Sequence, residues 1–244
     1  MQEKACFIVV NDGSETGIAI ANLLVERNNH VILIERQTLE TNISSNSKEL
    51  LEVWAFDFYD TDLIESEVKK LFASKGVISG FIYAAGIGGV RPLGLTTTTF
   101  LHQMMNANLY AFIEFARCVC KKQRFKDGGS VVALSSVSST KGLKSKIAYS
   151  ASKAALDASI RGLAAELAGR KIRVNSIQKG WVRADMKHSF IQDNMALSEA
   201  DDLAKQPLGV IESEELASMV AYLLSPESRS ITGTHLVLDG GYTL

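Results

Sequence analysis

Short runs of β-branched and aliphatic residues alternate with longer amphipathic segments along the chain, and this alternation restricts the fold more than any other feature. Buried strands appear as continuous apolar runs, whereas helices carry apolar residues at a period near 3.6. Strands that alternate with helices form parallel sheets whose crossover helices cover both faces. The pattern predicts a doubly wound α/β fold with about seven strands. The predicted strands are residues 5–10, 30–35, 53–56, 77–84, 131–134, 172–177 and 235–238, and the predicted helices include 17–27, 61–74, 98–122 and 213–224.

The length and charge of the chain restrict its class and its partners. The 244 residues suit one large domain, and no repeat or linker divides residues 1–244. A net charge of −1 provides no basic surface for nucleic acid or an anionic membrane, so we expect neither partner. The three cysteines lack zinc-site spacing, and no metal is expected. Without an apolar run of about 18 residues or a signal peptide, we expect a cytoplasmic protein.

A tyrosine and a lysine follow the predicted strand 131–134 at helical spacing. Tyr149 and Lys153 are four residues apart in an alanine-rich segment, so their side chains share one helix face. A cation within a few ångströms favours the phenolate, which makes the phenol a usable acid and base near neutral pH. Ser136, at the carboxyl end of the strand, is placed to donate a hydrogen bond to a substrate oxygen. The Tyr-Lys pair alone is also typical of an exposed helix face, but the serine favours a catalytic site.

The pattern Ser-x12-Tyr-x3-Lys, with the segment IRVNSIQKG that follows it, resembles the short-chain dehydrogenase/reductase family over residues 4–242. The resemblance implies a Rossmann-like fold that binds NAD(P) and interconverts a carbonyl and a secondary alcohol by hydride transfer. It also implies catalytic roles for Ser136, Tyr149 and Lys153. Asn108, in MMNANLYAF, matches the family's helix asparagine, which holds a water beside the lysine. Asn106 is a competitor for that role, and a polar residue satisfied in a helix interface is the alternative.

The segment NDGSETGIA is similar to the family's glycine-rich turn, T-G-x-x-x-G-I-G, between the first strand and helix. A glycine turn that opens a helix directs backbone N–H groups at a pyrophosphate. We therefore expect Gly13, Gly17 and Ile18 to bind the cofactor, although an ordinary glycine-containing turn has the same appearance. Asp12 replaces the threonine. Its carboxylate would repel a pyrophosphate unless it hydrogen-bonds to neighbouring backbone.

Further positions match cofactor contacts of the family. Glu35 ends the second strand at the offset where an acid holds a ribose 2′-hydroxyl, and Arg36 can bind the 2′-phosphate of NADP. We expect NAD or NADP, with a slight preference for NAD because the carboxylate repels the phosphate. A solvated charged pair is the alternative for both residues. The resemblance also implies cofactor contacts at Asp57, Ala85, Gly86, Tyr149, Lys153, Gly180 and Val182.

Three further substitutions depart from the family pattern. Tyr83 replaces an asparagine, and we expect a structural hydrogen bond to be lost there. Lys179 and Ala184 replace a proline and a threonine of the turn that covers the nicotinamide. The missing threonine hydroxyl should weaken cofactor binding by about 0.5–1.5 kcal/mol. Lys179 is expected to face solvent or the substrate entrance.

The substrate is less well determined than the reaction. Residues 185–206 occupy the family's substrate-loop position and mix apolar with charged residues. The carboxyl-terminal segment looks closest to bacterial 3-oxoacyl-acyl-carrier-protein reductases, which implies a small-molecule or carrier-bound carbonyl substrate, and Arg170 aligns with a carrier contact. The alternatives are a dehydrogenase of a small alcohol, sugar or polyol, and a catalytically impaired binding or scaffold protein. The apolar faces of residues 98–122 and 151–168 resemble the interfaces of a homotetramer or homodimer.

Overall fold

A single parallel sheet forms the centre of the molecule. The computed structural model describes residues 4–37, 49–184 and 203–244. Seven parallel strands lie in the order β3-β2-β1-β4-β5-β6-β7, which confirms the predicted fold class. The strands are β1 (Cys6–Asn11), β2 (His30–Glu35), β3 (Leu51–Ala55), β4 (Ile78–Tyr83), β5 (Phe125–Ser136), β6 (Arg173–Lys179) and β7 (His235–Leu238).

Helices cover both faces of this sheet. Helices α1 and α6 pack on one face, where Ile20, Leu24 and Leu216 join the strands in one apolar core. Helices α2, α4 and α5 pack on the other face, where Phe112 and Phe115 belong to a second core. The helices are α1 (Glu15–Glu26), α2 (Thr61–Ala73), α3 (Thr98–Met105), α4 (Ala111–Val119), α5 (Ile147–Leu167) and α6 (Ser213–Leu224).

The segment predicted as one helix over residues 98–122 is interrupted. A π-helical turn, Asn106–Tyr110, separates α3 from α4, and α4 already ends at Val119. A π turn widens the helix by one residue and often marks a functional site. Strand β5 begins at Phe125, six residues before the predicted start at residue 131, because Phe125 pairs with Ile78 ahead of a register shift and the exposed residues that follow interrupt the apolar pattern.

The strand order reverses between β1 and β4, because the chain builds outwards from β1 in one direction and then from β4 in the other. Open α/β sheets bind ligands at the carboxyl ends of the strands beside such a reversal. Asn11, Tyr83, Ser136 and Lys179 end β1, β4, β5 and β6 at this edge. The fold therefore gathers the sequence-predicted site residues at one edge of the sheet.

Two sequence expectations concern the remaining parts of the chain. Within the ranges described above, no helix has both the length and the apolar composition that a membrane span requires. The predicted substrate loop, residues 185–206, lies outside the described residues except for its last four positions, 203–206.

A polar network joins α5 to β6 and β7. The Nη1 group of Arg161 lies 2.7 Å from Nε2 of His235, and Nδ1 of His235 lies 2.8 Å from the hydroxyl of Ser176. That hydroxyl donates to Oδ1 of Asp157 at 2.8 Å. Because Arg161 can only donate, the ring must be neutral with its proton on Nδ1. Burial lowers the pKa of His235 from 6.5, Asp157 opposes that shift, and the Arg161 charge adds to it.

We predict that the contribution of His235 to stability is lost as the pH falls below about 6.5. Its folded-state pKa is below that of the unfolded chain, so in this window the unfolded state binds the extra proton and becomes favoured. Urea unfolding of the wild type and His235→Gln at about pH 8 and about pH 5.5 tests this. The free-energy difference between the two proteins should shrink at the lower pH. A difference independent of pH would contradict the prediction.

Candidate active site

Ser136 ends strand β5 at the ligand edge of the sheet. Its side chain is 7% exposed, and its Oγ accepts the backbone N–H of Ser138 at 3.2 Å, which caps the short 3-10 turn Val137–Ser139. Strand β6 pairs with β5 in a register that puts Lys179 opposite Ser136. This environment holds the serine hydroxyl at one position and leaves its hydrogen to be donated.

Helix α5 carries Tyr149 and Lys153 into the same region. Its first turns pack against the 3-10 turn after Ser136. The buried ammonium of Lys153 donates to the carbonyl of Leu134 at 2.9 Å and lies 6.0 Å from the centre of the Tyr149 ring. A buried charge requires such a partner. The bond to Leu134 therefore ties the helix to the end of β5 and keeps a cation beside the phenol.

Asn108 lies in the π turn, fully buried, next to the same lysine. Its Nδ2 donates to the carbonyl of Ile87 at 3.0 Å and to the hydroxyl of Ser152 at 2.9 Å. Its Oδ1 has no hydrogen-bond partner among the described residues. Buried acceptors rarely lack a partner. This oxygen is thus suited to accept a hydrogen bond from a water or ligand group outside the chain.

Gly86 packs directly against this corner. A Cβ added there would lie 2.5 Å from Oδ1 of Asn108 and 3.1 Å from Nζ of Lys153, and the φ of Gly86 is +151°. No other residue would fit, so the loop after β4 runs in contact with the lysine and the asparagine. Asn106 lies elsewhere, because its Nδ2 donates to the carbonyl of Tyr59 at 2.6 Å. The structure thus brings Asn108, and not Asn106, to Lys153.

The glycine-rich turn joins β1 to α1 as the motif predicts. Gly13 has a φ of +88°, and Ser14 caps α1 by accepting the N–H of Gly17 at 3.2 Å. A Cβ on Gly17 would lie 2.1 Å from Oδ1 of Asn11, so this glycine is required by a close approach. Ile18 follows in the first turn, half-buried. The amino end of α1 therefore opens at the ligand edge of the sheet.

Asp12 bonds across the sheet edge. Its Oδ2 accepts the N–H of Gly86 at 3.0 Å and the hydroxyl of Tyr59 at 2.9 Å. The carboxylate is hydrogen-bonded, but its partners lie on other loops and not on the neighbouring backbone of its own turn. Burial, with the Asp12 charge beside it, raises the pKa of Tyr59, so the phenol stays a donor. One carboxylate thus joins the loops after β1, β3 and β4.

The Glu35 side chain lies buried beneath the glycine-rich turn and is not exposed at the ligand edge of the sheet. The side chain is fully buried, with Oε1 accepting Nδ2 of Asn11 at 2.8 Å and Oε2 accepting the N–H of Gly13 at 3.0 Å. This placement differs from the expected ribose contact, because the buried amide of Asn11 holds the carboxylate beneath the turn. Sequence inspection missed Asn11, since a polar residue at the end of an apolar strand has no motif to identify it.

The remaining predicted cofactor residues lie around the same edge. Arg36 is half-buried, and its guanidinium lies 5.0 Å from the centre of the Tyr59 ring. Asp57 is exposed and accepts the N–H of Tyr59 at 3.2 Å, which orders the turn after β3. Ala85 is buried after β4. Arg36 therefore contacts the ring of Tyr59, and Asp57 contacts its backbone.

Tyr83 retains a structural hydrogen bond, contrary to the expectation that one is lost. Its fully buried hydroxyl donates to the carbonyl of Ala107 at 2.6 Å, inside the π turn. Burial raises the pKa of Tyr83 far above its ordinary value, so it remains a donor. The longer side chain thereby supports the turn that positions Asn108.

Gln206 holds the turn that follows β6, and sequence inspection did not find it. Its Oε1 accepts the N–H of Trp181 at 2.5 Å, and its Nε2 donates to the carbonyl of Gly209 at 2.9 Å. A Cβ on Gly180 would lie 2.5 Å from this amide. Val182, fully buried, forms a bridge with Ile211. The turn lacks the family's proline and threonine, but these contacts fix its backbone.

Arg170, expected to contact a carrier protein, has bonds within the chain. Its Nε donates to Oδ1 of Asp127 at 2.8 Å, and its two terminal nitrogens donate to the carbonyls of Cys120 and Phe125 at 2.5 Å. The side chain joins the end of α4, the start of β5 and the end of α5. A carrier contact at this residue would compete with these bonds.

Comparison with known proteins extends over nearly the whole chain. A family model described as Enoyl-(Acyl carrier protein) reductase matches residues 13–243. The chain is 31% identical over 249 residues to Carbonyl reductase family member 4 of Xenopus laevis, covering 99% of this chain and 98% of that protein. It is 30% identical over 240 residues to 3-oxoacyl-[acyl-carrier-protein] reductase FabG of Vibrio harveyi, covering 96% of each.

Comparison with solved structures points to the same family. A short chain dehydrogenase family protein from Francisella tularensis superposes with a TM-score of 0.86 at 25% identity, covering 99% of both chains. The family match, the relatives and the parallel sheet agree with one another, and Lys153 is bonded to the carbonyl of Leu134, two residues before Ser136 at the ligand edge. The chain therefore belongs to the short-chain dehydrogenase/reductase family.

Proposed function

We propose that the protein is an NAD(P)-dependent oxidoreductase that interconverts a 3-oxoacyl thioester and its 3-hydroxy form. The observation that carries this proposal is the cluster of Lys153, Tyr149 and Asn108 beside Gly86 at the ligand edge of the sheet. A phenol beside a buried cation is suited to moving a proton, and Ser136 on the neighbouring strand is suited to donating to an oxyanion.

The residues at the sheet edge suit a dinucleotide. The amino end of α1 offers backbone donors for a pyrophosphate, and Gly13, whose own N–H donates to Glu35, shapes the turn that leads into it. The backbone of Gly86 leaves no room for a side chain beside Lys153, and Oδ1 of Asn108 is a buried acceptor in that corner. Bound there, the reduced dinucleotide supplies the hydride that reduces a carbonyl carbon. Gly180 and Val182 lie in the turn assigned to its nicotinamide end.

The four catalytic residues have different roles in the reductive direction. Ser136 donates a hydrogen bond to the carbonyl oxygen and orients it. Tyr149 gives its proton to that oxygen as negative charge develops there. Lys153 favours the resulting phenolate and binds ribose hydroxyls. Asn108 holds a water from which Tyr149 is reprotonated by way of Lys153.

The 3-oxoacyl thioester is preferred because two lines of similarity include acyl-carrier-protein reductases. A small alcohol, sugar or polyol, interconverted with its carbonyl form, is the second substrate class, since a relative named only as a carbonyl reductase is equally similar. A binding or scaffold protein without turnover is less favoured. Asp12 and Tyr83, two of the departures that suggested it, make hydrogen bonds that support the site.

We also propose self-association through the helices that follow the π turn. Tyr110, the last residue of the π turn, is 44% exposed, and Ile113 in α4 is 41% exposed. Ile147 at the start of α5 is 49% exposed. A homotetramer or homodimer would bury these side chains. The molar mass from light scattering should be twofold or fourfold that of the 26.5 kDa chain, and a monomer would refute the proposal.

A substrate panel tests the proposed reaction. Acetoacetyl thioesters, sugars, polyols and simple ketones are each offered with NADH and with NADPH, and the change in absorbance of the reduced nicotinamide is followed. Turnover of the thioesters supports the proposal, whereas turnover of sugars alone favours the second class. Binding of neither dinucleotide would support the scaffold alternative.

We predict that Tyr149→Phe lowers turnover by at least about 100-fold, because the proton donor is removed. Dinucleotide affinity should stay within about threefold, since the ring and Lys153 remain. Stopped-flow turnover and equilibrium titration measure the two quantities. Tyr222→Phe, at a tyrosine of α6 that is 39% exposed, is the matched control and should keep full turnover. A Tyr149→Phe rate equal to the wild type would remove Tyr149 from the mechanism.

We predict that Gln206→Leu weakens NADH and NADPH binding by about tenfold, because the Trp181 backbone loses its hydrogen-bond partners. Adenosine diphosphate ribose, which lacks the nicotinamide, should bind the variant as it binds the wild type. Isothermal titration with each ligand separates the two effects. Gln103→Leu, on the exposed face of α3, is the control. Equal weakening of both ligands would show that Gln206 does not act on the nicotinamide turn.

A further inference from the structure

Two fully buried polar side chains lie beneath the glycine-rich turn. The amide of Asn11 donates from Nδ2 to Oε1 of Glu35 at 2.8 Å and to the carbonyl of Ser14 at 3.1 Å. Its Oδ1 accepts the hydroxyl of Ser14 at 2.8 Å. The second carboxylate oxygen of Glu35 accepts the N–H of Gly13 at 3.0 Å. Asn11 therefore fixes both the turn and the direction of the carboxylate.

A carboxylate buried here needs these bonds. Burial raises the pKa of Glu35 most, the neighbouring Asp12 charge raises it further, and the bonds from Asn11 and Gly13 lower it. Without the Asn11 amide, the Glu35 carboxylate would gain solvation by rotating towards the surface at the ligand edge of the sheet. That rotation would expose the Glu35 carboxylate at the place where an acidic residue contacts the ribose 2′ position of a dinucleotide.

Arg36 is the basic residue that follows Glu35 directly in the sequence, at the same end of β2. Its guanidinium lies 5.0 Å from the centre of the Tyr59 ring, and the Tyr59 hydroxyl is held by Asp12 at 2.9 Å. The aromatic ring restricts the guanidinium, and a planar guanidinium matches a phosphate in charge and geometry. The carboxylate next to it in sequence is fully buried and is bonded to Asn11 and Gly13.

We propose that Asn11 is a specificity-determining residue that withdraws Glu35 from the ribose 2′ position, so that Arg36 selects the 2′-phosphate and the protein prefers NADPH to NADH. This inference rests on the proposed dinucleotide-dependent function. It reverses the slight preference for NAD expected from sequence, which assumed that the Glu35 carboxylate reaches the ribose.

Equilibrium titration of the whole protein with NADPH and NADH tests the proposal without measuring turnover. The wild type should bind NADPH about tenfold tighter or more, the size expected for a charge-assisted hydrogen bond. Arg36→Ala should remove this preference by weakening NADPH alone, with Arg27→Ala on the exposed end of α1 as control. Equal affinities in the wild type, or tighter NADH, overturn the proposal. Binding of neither nucleotide instead refutes the proposed function.

Two substitutions of the buried pair test the role of Asn11. Glu35→Gln should leave the affinity ratio within about threefold, as should its control Glu26→Gln on the surface of α1. Asn11→Val should release Glu35 and shift the ratio towards NADH by about tenfold, and the double variant Asn11→Val/Glu35→Gln should cancel that shift. A tenfold loss of NADH affinity in Glu35→Gln overturns the proposal, as does an unchanged ratio in Asn11→Val. If Asn11→Val does not fold, Glu35→Gln and Arg36→Ala still decide.

Discussion

The hydrogen bond from the buried Lys153 ammonium to the Leu134 carbonyl joins helix α5 to strand β5, and the candidate active site depends on it. The charge cannot remain buried without an acceptor, so the helix is held at one height along the strand. That height puts the ammonium two residues from Ser136 along β5 and 6.0 Å from the centre of the Tyr149 ring. The same ammonium borders Gly86, which brings the loop after β4 into the site. One buried cation thus joins three elements of the fold.

Three side chains on the cofactor side, two of them at substituted positions, form hydrogen bonds that hold its loops. Asp12 joins three loops, Tyr83 supports the π turn, and Gln206 holds the turn after β6. Each replaces a family residue or acts beside one, and each is tied to backbone. Backbone partners do not depend on the identity of the neighbouring side chain, so such bonds can replace a lost contact without further substitutions. The candidate site therefore remains organised despite its departures from the family pattern.

Much of the fold and of the catalytic set followed from local sequence pattern. Strands β2 and β7 and helix α6 have the predicted bounds, because each has a continuous apolar pattern and clear ends. Tyr149 and Lys153 followed from helical spacing, and Ser136 from its place at a strand end. The sequence predicts too short a β5, since the exposed residues 126–128 interrupt its apolar pattern after Phe125. The π turn Asn106–Tyr110 has no signal in the sequence, because one extra residue in a helical turn leaves the composition unchanged.

The order of apolar and polar residues alone determined a parallel α/β sheet, a glycine turn at its ligand edge and a tyrosine-lysine pair on one helix face. These properties depend on neighbours within a few residues, which a pattern records. Only the tertiary structure decided which way side chains at that edge point. Glu35 turns inwards because Asn11, 24 positions away in sequence, offers an amide. Arg170 bonds to the carbonyls of Cys120 and Phe125 for a similar reason, since partners so distant in sequence meet only after the sheet has formed.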